Sequence, residues 1–213
     1  MNPPKRVILL NPQINAIVSI LTRPNQTIRE IVVNDRKYLA AAIAILAVSS
    51  FFFIRITADQ PDPSLAMTEL GYVWDVQYQA ESFGRSVFWN VLSIVIVFYL
   101  GMKLGGSKDF RKVFSVMSFV AMPVLVGGII LHIFFMYPFL LENITGIDRK
   151  SAEFAGLFWL LYFASIPFAF WTLILSIKAI KIVNNFGTAK ALGILFASAG
   201  VTYLANAIVM LAL

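Results

Sequence analysis

Five polar side chains stand out inside stretches that are predominantly apolar: Asn90, His132, Ser198, Thr202 and Asn206. Ser198, Thr202 and Asn206 are four residues apart, which puts them on one face of a helix. At about 1.5 Å of rise per residue, Asn90, His132 and Asn206 reach a similar depth in the outer half of a bilayer. Polar groups at that depth are costly unless they are paired. Two readings stand. The five could line a pocket for a neutral or weakly polar solute, with His132 titrating near neutral pH. They could equally form an interhelical hydrogen-bond cluster, with His132 reaching interfacial water.

Other chemistries lack their residues. The chain has one histidine and no cysteine, so it offers neither a two-histidine nor a thiolate metal site. Its apolar runs contain no Asp or Glu, which removes the intramembrane carboxylate of a proton- or cation-coupled carrier. Gly105-Gly106-Ser107-Lys108 lacks the spacing of a phosphate-binding loop. The sequence therefore predicts no catalytic residue, no cofactor and no enzyme.

The elements that must carry these residues are transmembrane helices. Of 213 residues, 59% are hydrophobic and only 13% charged, against about 25% charged in a soluble domain. Mean hydropathy is +0.80. Apolar runs at about 39–56, 87–104, 113–139, 155–177 and 189–213 are each long enough to cross about 30 Å of hydrocarbon as helix. They lack the alternation of a β-barrel. The expected fold is all-α: a polytopic bundle of five transmembrane helices over 39–213, preceded by a cytoplasmic segment, 1–38. Met1–Leu10 holds too short an apolar run to read as a signal peptide.

Charge gives the orientation. Lys5, Arg6, Arg23, Arg29, Arg36 and Lys37 precede the first run. Lys103, Lys108, Arg111 and Lys112 join the second to the third, and Lys178, Lys181 and Lys190 join the fourth to the fifth. Only Arg55, Arg85, Arg149 and Lys150 fall on the other side, where most acidic residues lie. The basic side faces the cytoplasm, which places the N-terminus inside and the C-terminus outside. These charges mark span ends and not a nucleic-acid footprint.

Within 1–38, Asn11-Pro12 reads as a helix start, and Ile14, Ile17, Val18 and Leu21 share one face. Thr27-x-x-Glu30 reads as a capping box for a second short helix. The pair either docks on the bilayer or a partner, or packs on the bundle. The acidic, aromatic segment Thr57–Ser86 predicts an outer loop with a short surface helix. Pro123 and Pro167 predict kinks in the third and fourth spans. Ala189, Gly193, Ala197 and Ala205, with Gly101-x-x-x-Gly105, offer small faces for close packing or for a homo-oligomer.

Several segments resemble the Yip domain family of polytopic membrane proteins in its prokaryotic form. They are Arg23-Pro24 with Thr27-Ile28-Arg29, then Leu104-Gly105-Gly106-Ser107-Lys108-Asp109-Phe110-Arg111-Lys112-Val113-Phe114, then Pro123. Trp171, Leu175, Lys178-Ala179-Ile180, Gly187 and Ala189-Lys190-Ala191 continue the resemblance. It implies a five-span bundle with a cytoplasmic N-terminus, and Pro24, Gly105, Gly106 and Pro123 as structural signatures. Eukaryotic members are linked to Rab-type GTPases and vesicle traffic. This chain lacks their Asp-Leu-Tyr-Gly-Pro motif, so GTPase binding is not carried over.

The functional expectation is a non-enzymatic membrane scaffold or adaptor, in membrane organisation or a trafficking-like process. Its partners are the lipid bilayer, anionic headgroups at the basic loops, and a protein partner or a second copy, with no nucleic acid. The alternative is a small permease or channel. The expected location is a prokaryotic cell membrane, with an endomembrane as the alternative.

Overall fold

The computed structural model describes residues 12–57, 76–136, 146 and 152–212. Several side chains within its helices, including 51–57, 76–82 and 130–136, lie outside the described set. The described residues form helices and no strand. In chain order they are α1 (Pro12–Thr22), α2 (Pro24–Val33), α3 (Asp35–Thr57), α4 (Val76–Lys103), α5 (Phe110–Val120), α6 (Met122–Met136), α7 (Ala152–Asn184) and α8 (Thr188–Ala212). An all-helical chain is what lipid demands, because the hydrocarbon offers backbone groups no partner but each other.

Among the described residues, four stretches are long and apolar enough to cross a membrane: Phe83–Lys103, Phe110–Ile129, Phe163–Asn184 and Thr188–Val209. They match the second to fifth expected runs, and the chain is a multi-pass membrane protein. The first expected run, 39–56, is helical within α3, and its outer part falls among the undescribed side chains. The expected outer loop at Thr57–Ser86 is shorter than predicted. Helix α4 starts at Val76, so 76–86 continues the second span as helix, and 58–75 lies outside the described residues.

The expected third span is two helices. The helix is interrupted at Ala121, whose N–H donates to the Ser118 carbonyl at 3.2 Å. Pro123 follows in the first turn of α6. It has no N–H to return to Phe119, so a straight helix would lose a bond there. Placed just after a helix start, the same proline costs nothing. Pro167 sits inside α7 without ending it.

Helices α1 and α2 pack on the bundle. Arg23 joins them, and Pro24 opens α2 at a position where the missing donor is not needed. The expected capping box at Thr27 is not formed. Helix α2 has already begun, and the Thr27 hydroxyl donates back to the Arg23 carbonyl at 3.0 Å. Glu30 accepts from the hydroxyl of Tyr38 instead. The Gln13 side-chain amide donates to the Lys37 carbonyl at 2.8 Å, tying the start of α1 to the start of α3.

Two apolar clusters hold the helices together. One joins Ile20 of α1, Ile28 and Ile31 of α2, Tyr38 and Ile45 of α3, Val116 and Phe119 of α5, and Leu175 of α7. Tyr38 and Phe119 meet edge to face with centroids 6.0 Å apart. The other joins Leu46, Ile94, Val97, Val113, Ile180, Ala191 and Ile194. Spans differ sharply in what they show to lipid. About Phe110–Ile129, 61% of the apolar stretch is buried, against 11% for Thr188–Val209, so the broken span is central and α8 is peripheral. Trp159, Phe163, Phe170, Phe196, Tyr203 and Leu204 are accordingly exposed on α7 and α8, where acyl chains solvate them.

This packing gives a direct test of α2 as part of the core. Ile28→Ala should destabilise the detergent-solubilised protein by about 2–5 kcal/mol. Val33→Ala, at the exposed face of the same helix, should stay within about 0.5 kcal/mol of the parent. Thermal unfolding of both variants checks this, and equal effects would mean α2 is not packed as described.

Candidate functional site at the basic end of the bundle

The α4–α5 turn has to reverse the chain in few residues at the membrane surface. Helix α4 ends in a glycine-based cap. The Gly106 N–H donates to the Gly101 carbonyl at 2.8 Å and the Gly105 N–H to the Met102 carbonyl at 3.1 Å. Gly105 has φ +87°, the left-handed conformation this cap requires. A residue with a side chain would be strained there.

Gly106 serves a different need. Its α-carbon and that of Gly101 face the side chain of Asn184, the last residue of α7. A methyl group on Gly101 would meet Asn184 Oδ1 at 2.8 Å, and one on Gly106 would meet it closer still. Asn184 is 5% exposed and fully engaged. Its Oδ1 accepts from the Ser107 N–H at 2.9 Å and its Nδ2 donates to the Ile180 carbonyl at 3.1 Å. One amide side chain thus clamps the α4–α5 turn to the end of α7.

The flanking turns are built as tightly. The Ser107 hydroxyl accepts from the Asp109 N–H at 3.2 Å, and Asp109 caps α5 by accepting from the Arg111 N–H at 3.0 Å. Asn185 takes φ 54° after α7, and the Phe186 N–H returns to the Lys181 carbonyl at 3.0 Å. Lys181 Nζ donates to the Thr188 hydroxyl at 2.8 Å, bridging α7 to α8. Arg111 Nε lies 3.8 Å from Asp35, linking the first turns of α5 and α3.

These contacts bring the starts of α3, α5 and α8 and the ends of α4 and α7 together. That end carries Arg36, Lys37, Lys103, Lys108, Arg111 and Lys190 exposed, with Lys112, Lys178 and Lys181 half-buried. Lys103, Lys178 and Lys190 lie over the rings of Tyr99, Trp171 and Phe186 at 5.4, 5.8 and 5.3 Å. Tyr38 stands just before the 39–56 run. Burial, with the hydrogen bond to Glu30 and its charge adding, pushes its hydroxyl up to about 12, so it remains a donor at physiological pH.

The expected intramembrane cluster is placed as follows. Asn90 Nδ2 donates to the Ser50 hydroxyl at 2.9 Å, joining α4 to α3. Ser198 is buried and donates to its own helix at the Leu195 carbonyl. Thr202 Oγ1 is buried with no partner among the described residues, and Asn206 is half-buried. His132 lies on α6, and its side chain is outside the described residues. Ala189, Gly193 and Ala197 are exposed on α8, and a methyl added at Gly193 would meet nothing within 4 Å. Of the signature residues, Pro24 is buried at the start of α2, Gly105 takes the left-handed cap position, Gly106 lies against Asn184, and Pro123 is in the first turn of α6.

Sequence reasoning missed Asn184, Ser107, Ser50 and the Asp35–Arg111 link. Asn184-Asn185 followed by Gly187 carried a helix-end signal. Nothing local shows that its amide meets a glycine 83 positions earlier.

The clamp makes a coupling prediction. Gly106→Ala alone should lower stability, because the new methyl displaces Asn184. In an Asn184→Ala background the same substitution should cost at least about 1 kcal/mol less, since contacting residues are not additive. A double-mutant cycle by thermal unfolding checks this, and additive effects would dissolve the clamp.

No curated protein and no solved structure matches the chain. The model of the Yip1 domain matches residues 18–209. The matched range takes in α2 to α7 entirely, nearly all of α8, the glycine turn and Asn184. The chain belongs to the Yip1 domain family.

Proposed function

We propose that this protein is a non-enzymatic membrane scaffold or adaptor whose basic end recruits an acidic segment of a partner protein. The observation that carries this reading is the rigid basic end. Five helix termini are tied by specific side-chain bonds there, and six exposed cations are presented on them. Ordering loops with dedicated bonds has a use when their charges must keep fixed positions, because a preorganised surface loses less entropy on binding. Charge at a surface of this kind chiefly accelerates and selects encounters. The bias of Lys and Arg supports a cytoplasmic position for it. No residue is assigned a catalytic role.

A permease or channel is the second reading. It draws on the hydroxyls of Ser86 and Thr202, buried with no partner among the described residues, near Asn90 and Asn206 in their helices. Water or a small polar solute could satisfy such groups.

Crosslinking in native membranes, followed by purification and mass spectrometry, tests the first reading. A stoichiometric partner should be captured through 103–112. Lys108→Glu with Lys112→Glu should reduce capture, and so should raising salt from about 0.05 to 0.5 M. Recovery of this chain alone would sink the reading. Solute flux in liposomes that falls in an Asn90→Ala variant of normal stability would establish the second.

A further inference from the structure

A groove of about 270 Å³ runs between α3 and α5, lined by Leu39, Ile43, Phe110, Arg111 and Phe114. Its position follows from its lining. Asp35 and Arg111 hold the first turns of the two helices together at the basic end. Leu39 and Ile43 lie one and two turns beyond Asp35 along α3. Phe114 lies one turn beyond Phe110 along α5. The groove therefore starts at the basic end and descends along both helices into the hydrocarbon, with its side open to lipid.

The walls are firm and wholly apolar below the mouth. Phe110 is held edge-on by Phe98 of α4, with centroids 5.4 Å apart, and Phe114 packs beside it at 5.8 Å. Ile43 is 52% exposed along the opening. Arg111, the one polar residue of the lining, walls the groove with its apolar stem, so its guanidinium stands at the rim. Only its Nε edge faces Asp35, at 3.8 Å, which is longer than a hydrogen bond. Among the described residues its other N–H groups have no partner, and 44% of the side chain is exposed. Asp35 offsets part of its charge, and the neighbouring cations leave a net positive mouth. Arg36, Lys37, Lys108 and Lys112 flank the mouth in sequence.

We infer that this groove is a binding slot for an anionic phospholipid, with one acyl chain between α3 and α5 and the phosphate on Arg111. A guanidinium matches a phosphate with paired, charge-assisted hydrogen bonds. An anionic headgroup complements the excess cations at the mouth, and a zwitterionic one gains less. A chain in the slot covers Ile43 and the ring faces more closely than the disordered bulk lipid can. The inference rests on the membrane setting and on the groove, and not on the scaffold reading.

Native mass spectrometry of the detergent-solubilised protein tests it, with phosphatidylglycerol and phosphatidylcholine as probes. The expected result is one retained phosphatidylglycerol per chain, bound at least about tenfold more tightly than phosphatidylcholine. Arg111→Gln should abolish that preference. Ile43→Trp, which fills the groove from an exposed position, should weaken both lipids. Arg85→Gln, near the opposite end of α4 from the basic end, should change neither, and thermal unfolding confirms that each variant folds. Equal binding of the two lipids would overturn the proposal, as would indifference to Ile43→Trp, displacement of the lipid by inorganic phosphate, or a second copy of the chain in place of lipid. The assay uses the isolated protein, so failure to find a protein partner leaves its outcome unchanged.

Discussion

The basic end depends on the meeting of one amide with two glycines. Asn184 occupies the space that side chains at Gly101 and Gly106 would fill. It also supplies the acceptor for the Ser107 N–H, a donor left over where α4 has ended and α5 has not begun. A turn at a membrane surface has few ways to satisfy such groups, since one side is lipid and the other is packed protein. Because Asn184 terminates α7, the same contact fixes the level of the α4–α5 turn against α7 and, through Lys181 and Thr188, against α8. The cations on these loops inherit that order.

Lipid as solvent explains the uneven burial of the spans. In water, the aromatic and aliphatic residues on the outer faces of α7 and α8 would drive aggregation. In hydrocarbon they are solvated, and association between helices has to come from packing and polar bonds. Small and polar residues at the contacts follow: Ala41, Ala42, Ala179 and Ala191 are buried at close approaches, and Asn90 bonds to Ser50 between α4 and α3. The central span is broken at Ala121 because Pro123 cannot complete the helical ladder. Both α5 and α6 touch α3 and α7. Helices α1 and α2 join the first of the two clusters through Ala16, Ile20, Ile28 and Ile31, while Ile14 and Val18 of the expected apolar face are exposed.

Much of the membrane architecture was legible in the sequence. Span positions follow from run length and composition, because the bilayer sets a thickness that helices must match. The bias of Lys and Arg is an electrostatic property that needs no contacts to read, and it is the basis on which a cytoplasmic N-terminus is expected. Pro24 and Pro123 were legible as helix starts or breaks, because proline acts on its own backbone. Thr27-x-x-Glu30 misled for the opposite reason. A capping box is a local pattern, but Pro24 three residues earlier had already begun the helix, and Tyr38 took Glu30.

Only the tertiary structure decided which polar groups meet. Asn90 was expected at the depth of His132 and Asn206, and depth along a helix can be counted from rise per residue. Rotation about the helix axis relative to a neighbour cannot, so its bond to Ser50 was invisible. The same holds for Asn184 with Gly101 and Gly106, and for Arg111 with Asp35. Composition and periodicity, set by the solvent, chose the lipid-spanning helices. Their mutual rotation and register, set by side-chain packing between segments distant in the chain, made the clamp, the basic end and the groove.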